Sequence, residues 1–285
     1  MAFGKLHDTR LGRKTEPILL SSFSTIAANN QNPMNGSLTS GHRLTKLNQP
    51  KKSKKPKKLK KAAVLWTGGK DSALAFELCR QDCEIVRLVT FVPLTGQPFR
   101  AHPLAAMRAQ AESIGLPHQC IEVDEPYRVS YVAAIRQLRE EGVEVLITGD
   151  IAPVDGYPNW ISECAEGICQ VMLPLWAVPR EQLLAQLQAR GFEAVITLAY
   201  HRHFGADSPV GKPLDAAMIE RFRAIASEPP FDLCGENGEY HSCVLDAPYF
   251  RWPVALTGAR QEQTQEYDYL VWQGAERSED PAFAG

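Results

Sequence analysis

From residue 62 onward the chain alternates two apolar rhythms. "AAVLW" (62–66) is a short unbroken apolar run, as expected of a strand buried on both faces, and "DSALAFELCRQ" (71–81) carries its apolar residues at helical spacing. The alternation continues through a strand at 84–92, a helix at 102–115 with a glycine stop at Gly115, a strand at 118–123, an amphipathic helix at 127–142 and a strand at 143–150. Parallel neighbours need a crossover connection, and the intervening helices supply it. The pattern therefore predicts an α/β fold built on a doubly wound parallel sheet.

Beyond Asp150 the rhythm loosens. A loop rich in Pro and Gly (152–158) leads to a helix at 161–167, a strand at 169–176, a helix at 180–191, a strand at 192–200 and a helix at 214–227. In "PPFDLCGENGEYHSCVLDAPYF" (229–250) prolines and glycines interrupt every period, so the stretch reads as a functional loop. The expected organisation is a basic leader (1–61), a nucleotide-binding domain (62–180), a smaller α+β substrate lobe (181–250) and a C-terminal extension (251–285).

Charge sharpens that division. The net charge of −2 hides 14 Lys/Arg against two acids in residues 1–61, with eight lysines in "KKSKKPKKLKK" alone. Such density opposes a packed core and predicts a disordered, solvated leader, or alternatively a handle for RNA or an anionic surface. Residues 17–50 hold no Asp or Glu and faintly resemble an organelle transit sequence. No run reaches the roughly 18 to 20 apolar residues of a membrane-spanning helix, so no membrane partner is expected and a cytoplasmic location is. The seven cysteines are odd in number and scattered, with Cys79 and Cys83 four apart in a helix and no CxxC, which points to reduced thiols in a core.

The chemistry concentrates where the first strand turns into the first helix, at "TGGKDS" (67–72). A buried strand, a glycine turn and a helix N-terminus present several backbone N–H groups to an anion. Gly68 and Gly69 let an oxygen ligand approach, Thr67 and Ser72 offer hydroxyls, Lys70 offers a point charge, and Asp71 can hold Mg2+ or cap the helix. The Walker spacing is absent: five residues before Gly69 stands Val64, and an aspartate follows Lys70. Transfer of a γ-phosphate is therefore not the expected use of the nucleotide.

These residues resemble the PP-loop ATP pyrophosphatases, whose signature SGGxDS differs from "TGGKDS" only at Thr67, where a hydroxyl is kept. "HPLAAMRAQAESIGLP" (102–117), "ITGDI" (147–151), "PLW" (174–176) and above all "CGENGEYHSCVLDAPYF" (234–250) look like the diphthine ammonia ligase family. The resemblance implies an adenine-nucleotide α-hydrolase, HUP-like fold with ATP and Mg2+ as cofactors. It implies that a carboxylate attacks the α-phosphorus of ATP, that pyrophosphate leaves, and that ammonia converts the acyl adenylate to an amide with release of AMP. The family's substrate is diphthine, the modified histidine of translation elongation factor two, which makes that protein the implied partner. No glutaminase-like region is visible, so free ammonium is the expected nitrogen source.

Carried onto this chain, the resemblance puts Lys70, Asp71, Glu236 and Glu239 in catalytic roles. Thr67, Gly68, Gly69, Lys70, Ser72, His102, Gly149 and Asp150 would bind the nucleotide, and Asn237, Gly238, Tyr240 and His241 the acceptor. Gly149 and Asp150 end a strand, where such sheets bind ligands; contact to ribose or Mg2+ and a plain turn are both open. Glu236 and Glu239 suit binding ammonium, deprotonating it or holding a second metal, against a solvated acidic hairpin at Asn237-Gly238. His241 either orients the substrate or is an exposed strand histidine, and the role of His102 is open. Residues 152–179 hold no Lys or Arg where the family's substrate-recognition stretch carries arginine, so a cation for the acceptor has to come from elsewhere. Two other readings stand beside the ligase: a PP-loop tRNA-modifying enzyme using the leader as its RNA handle, and a non-catalytic adenine-nucleotide-binding protein.

Overall fold

The apolar run at 62–66 becomes the middle of a sheet because it is covered on both faces. In β1 (Lys60–Leu65) and just past its end, Ala62, Val64 and Trp66 pack into one layer and Ala63 into the other, all without solvent exposure. The computed structural model describes residues 58–94, 103–153, 158–226 and 231–278. His102 and almost all of the basic leader lie outside the described residues.

The first half runs β1, α1 (Lys70–Cys79), β2 (Cys83–Pro93), α2 (Leu104–Ile114), β3 (His118–Val123), α3 (Tyr127–Glu140), β4 (Val145–Ile147), α4 (Trp160–Ala165) and β5 (Gln170–Met172). These strands form a five-stranded parallel sheet in the order β3-β2-β1-β4-β5. Apolar side chains of α1 and α2 (Leu74, Phe76, Met107) join the layer of Val64 and Ile147. Those of α3 and α4 (Tyr131, Ile135, Leu138, Ile161) join the layer of Ala63 and Leu146. The sheet is thus doubly wound, as the pattern predicts.

The order reverses between β1 and β4, which opens a crevice at their C-terminal ends, where ligands of such sheets bind. The glycine turn (67–72) and Thr148 to Asp150 both emerge there. β4 is only three residues long, against the eight expected, because the chain leaves the sheet at Thr148 to pass over α1. A Cβ on Gly149 would lie 2.6 Å from the carbonyl carbon of Asp71 and 2.7 Å from the amide of Ser72. The two loops touch backbone to backbone, and only glycine permits it.

The second half adds α5 (Arg180–Ala189), β6 (Glu193–Tyr200), the single turn α6 (His201–Phe204), α7 (Ala216–Ala226), β7 (Tyr240–Asp246), β8 (Val254–Thr257), β9 (Arg260–Gln263), β10 (Tyr267–Val271) and β11 (Gly274–Arg277). β7, β6, β10 and β9 form an antiparallel sheet in that order, and β8 pairs with β11 beside α2. Three sequence readings are corrected. β5 stops at Met172, before Pro174 and a turn, instead of running to Trp176. Seven residues of the stretch read as a loop at 229–250 form the strand β7. The leader's last two lysines lie in β1 instead of a solvated tail, while the C-terminal extension supplies four strands.

One core unites the two halves. Val64, Leu74 and Met107 share a single cluster with Leu184, Ile196, Phe222, Tyr240 and Val244. Among the described residues no helix is long and apolar enough to cross a membrane. The Gly149 contact gives an expected outcome: Gly149→Ala forces apart two packed backbone segments and destabilises the fold by about 1–3 kcal/mol, measured by urea unfolding. The same change at Gly142, where a Cβ meets nothing within 4 Å, costs only the left-handed backbone conformation, about 1–2 kcal/mol.

Candidate active site

The turn at 67–72 owes its shape to buried partners. Gly68 adopts a positive φ of 72°, and a Cβ there would lie 2.5 Å from Oε1 of Gln110. Gln110, fully buried on α2, receives the indole N–H of Trp66 at 3.0 Å and donates to the carbonyls of Gly68 at 3.0 Å and Val244 at 2.7 Å. The Gly68 carbonyl also accepts from the amide of Val244 at 2.9 Å, so strand β7 is bonded directly to the turn. Gly69 caps α1 through extended backbone without a side-chain cap, which leaves the start of the helix open to an anion. The hydroxyls of Thr67 and Ser72 lie 3.2 Å apart, and Ser72 donates to the Gly69 carbonyl at 3.0 Å.

Lys70 is 3% exposed, and its contacts run to the C-terminal half as much as to its own turn. Its ammonium donates to the Cys234 carbonyl at 2.5 Å and to Asp71 at 2.8 Å and sits 5.2 Å from the centre of the Tyr240 ring; its amide donates to Ser242 at 3.3 Å. Burial works against the charged lysine, but Asp71 and the other groups around it raise its pKa, so it stays protonated.

Opposite the turn, Gly235 and Gly238 bend the GENGEY loop with positive φ. The two glutamates differ. Glu239 is buried and turned inward, accepting from the amides of Asp232 at 2.8 Å and Asn237 at 2.9 Å and from the Asn237 side chain at 3.0 Å. It holds the loop together, and no solvated acidic hairpin forms. Glu236 lines a cavity of about 500 Å³ with Ile151, Val178, Arg180, Asp232 and Asn237. Burial, and then repulsion from Asp71, push the Glu236 carboxyl up to about 8; Lys70 offsets part of this, and Asp150 and Asp232 add to it. Carboxylates from both halves therefore converge on one crevice.

Asp150 accepts from Thr148 at 2.7 Å and from Asn159 at 2.5 Å, and Asn159 caps α4 through Ser162. Tyr240 donates to the Leu233 carbonyl at 2.8 Å from a fully buried ring. His241 is half-buried on β7, and burial, followed by the field of Lys70, lowers its pKa to about 4, so it is neutral near pH 7.

Sequence reasoning missed four residues here. Arg180 stands one position beyond the cation-free stretch 152–179 and brings a guanidinium to the cavity, paired with Asp232 at 2.8 Å. Asp232 also caps the Cys234 amide at 2.8 Å. Gln110 was visible only as an amide among the apolar positions of a helix, and Ser242 only as the serine after "GEYH". Among the described residues no group of three or more His, Cys, Asp or Glu could hold a metal unaided. All seven cysteines are free.

The acidity of Glu236 has a measurable consequence for stability. An unfolded glutamate releases its proton near pH ~4.3, whereas the folded protein retains it to about pH 8. Between these values the folded state binds the extra proton, so this group lowers stability as pH rises through the window. Glu236→Gln therefore gains stability relative to the parent from pH 5 to pH 8 in urea melts; a difference independent of pH would contradict the assignment.

Two family models match this chain in succession: the diphthamide synthase N-terminal domain over residues 60–169 and the diphthamide synthase C-terminal domain over residues 179–276. The diphthine–ammonia ligase of Bos taurus is 28% identical over 96 residues, which are 32% of this chain and 36% of that protein. The matched region thus spans about a third of the relative's length. Among solved structures, a 4-thiouridine synthetase in complex with RNA and ATP is similar at a TM-score of 0.35 and 19% identity, over 46% of this chain and 41% of its own. A predicted subunit of tRNA methyltransferase from Methanocaldococcus jannaschii has a TM-score of 0.37 and 17% identity, over 66% of this chain and 98% of its own. The two family models together cover well over half of the residues, from β1 to the last strand, and on that ground the chain belongs to the diphthamide synthase family.

Proposed function

We propose that the chain is an ATP-dependent amide ligase that adenylates a diphthine-like carboxylate and transfers ammonia to it, releasing pyrophosphate and AMP. The observation that carries this reading is the placement of the cavity holding Glu236 and Arg180 against the crevice where the TGGKDS turn begins α1. A site that only bound a nucleotide would have no use for a glutamate and an arginine brought to its wall from the second half.

In this reading the open N–H groups at the start of α1 bind the outer phosphates of ATP and leave the α-phosphorus facing the cavity. Arg180 provides the cation missing from 152–179 and orients the acceptor carboxylate. A carboxylate oxygen attacks the α-phosphorus and the P–O bond to pyrophosphate breaks. The ammonia lone pair then attacks the acyl carbon, and AMP leaves with the electrons of the C–O bond. In its ionised form, which becomes populated as pH rises towards 8, Glu236 takes a proton from the nitrogen. The residues fit Mg2+: the repulsion among Asp71, Asp150 and Glu236 is what a divalent cation relieves, and one or two carboxylates plus phosphate oxygens are its usual ligands. Asp71 and Asp150 would hold it, and when bound it would neutralise charge on the departing pyrophosphate.

The test is incubation of the full chain with ATP, Mg2+, ammonium and elongation factor two carrying diphthine. AMP and pyrophosphate in equal amounts and an amidated factor are expected; ADP, or no product above background, would sink the reading. Asp71→Asn should lower turnover by about 100-fold or more, on the scale of losing one group that stabilises developing charge. Arg180→Ala should raise KM for the acceptor more than KM for ATP.

A further inference from the structure

The geometry points to Lys70 as a positioning residue, which fixes the loop of Cys234 to Glu239, and with it the Glu236 carboxylate, relative to the nucleotide turn. This assignment of Lys70 rests on the reading of ATP at that turn, and it departs from a phosphate-binding role.

The lysine is committed in three directions. One N–H of the ammonium goes to the Cys234 carbonyl, another to Asp71, and the Tyr240 ring closes the third side at 5.2 Å. Its side chain is only 4% exposed, and its backbone amide is bonded to Ser242 on β7. To reach a phosphate the ammonium would have to turn its third N–H away from the Tyr240 ring, or give up the Cys234 carbonyl or Asp71 inside the protein, where unmade hydrogen bonds are costly.

The far end of this strut matters because it reaches the loop from the 67–72 turn itself, whereas the contacts that follow come from the loop and from α5. Glu239, Asn237 and Asp232 bond one another within the loop, and Tyr240 bonds Leu233 beside it. Arg180 holds Asp232 from α5. The Lys70 contact is made at Cys234, two residues before Glu236, and crosses directly from the turn. Lysine suits this role because its long apolar stem passes through a buried layer while its head satisfies a backbone carbonyl and a carboxylate together.

The test is Lys70→Met in the full chain, followed by hydrogen–deuterium exchange and ATP titration calorimetry. Amides 232–239 should exchange at least tenfold faster than in the parent, amides 62–65 of β1 should keep their rates, and ATP affinity should stay within threefold. A smaller change in the loop, or a larger loss of ATP affinity, overturns the assignment. Should the variant not fold, amine labelling of the parent decides: Lys70 should react at least tenfold more slowly than the exposed Lys212, with or without ATP. Labelling at the rate of Lys212, protected only when ATP is added, would make Lys70 a phosphate ligand. A parent that binds no ATP would overturn the proposed function, whereas loop exchange and labelling test the strut without nucleotide.

Discussion

The structure depends on the hydrogen bonds at the Gly68 carbonyl. That one oxygen accepts from Val244 on β7 and from the buried amide of Gln110, which also holds Val244 and Trp66. An antiparallel strand from residue 240 onward is thereby bonded to a turn that starts the first helix of a parallel sheet. Both partners are out of water, so the bonds have no solvent competitor and fix the turn's geometry. Gly68 is required because its positive φ aims the carbonyl and because Gln110 fills the space a side chain would take.

Once β7 is docked there, the bend before it has to hang over the crevice between β1 and β4. Glu239 organises the bend from inside by gathering its amides, and Glu236 is left at the cavity wall. The two glutamates of one short motif thus divide into a structural carboxylate and a chemically adjustable one. Glu239 collects three donors within the loop, whereas the acidity of Glu236 is governed by burial and then by Asp71, with Asp150 and Asp232 adding to it.

A good part of the fold was legible in the sequence. The alternation of buried strands and amphipathic helices from 62 to 150 fixes a parallel α/β sheet, because strands buried on both faces read as unbroken apolar runs. TGGKDS announced a glycine turn between the first strand and the first helix, and the turn stands at the switch between β1 and β4. The second half was harder to read. β9, with the sequence RQEQ, has no apolar rhythm, and β7 is preceded by glycines that look like a loop; both are strands because distant partners pair with them. Arg180 and Gln110 escaped because a lone arginine or glutamine in a helix carries no local sign of what it will face.

The sequence by itself determined the parallel α/β class, the glycine turn and the presence of two carboxylates in a bent segment, since these follow from local periodicity and backbone freedom. Tertiary structure alone decided which carboxylate is turned inward, which cation reaches the cavity and where the ammonium of Lys70 is spent. The reason is that burial and charge at a site are set by groups more than a hundred residues away along the chain, as Lys70 and Cys234 are, and no local pattern encodes that distance being closed.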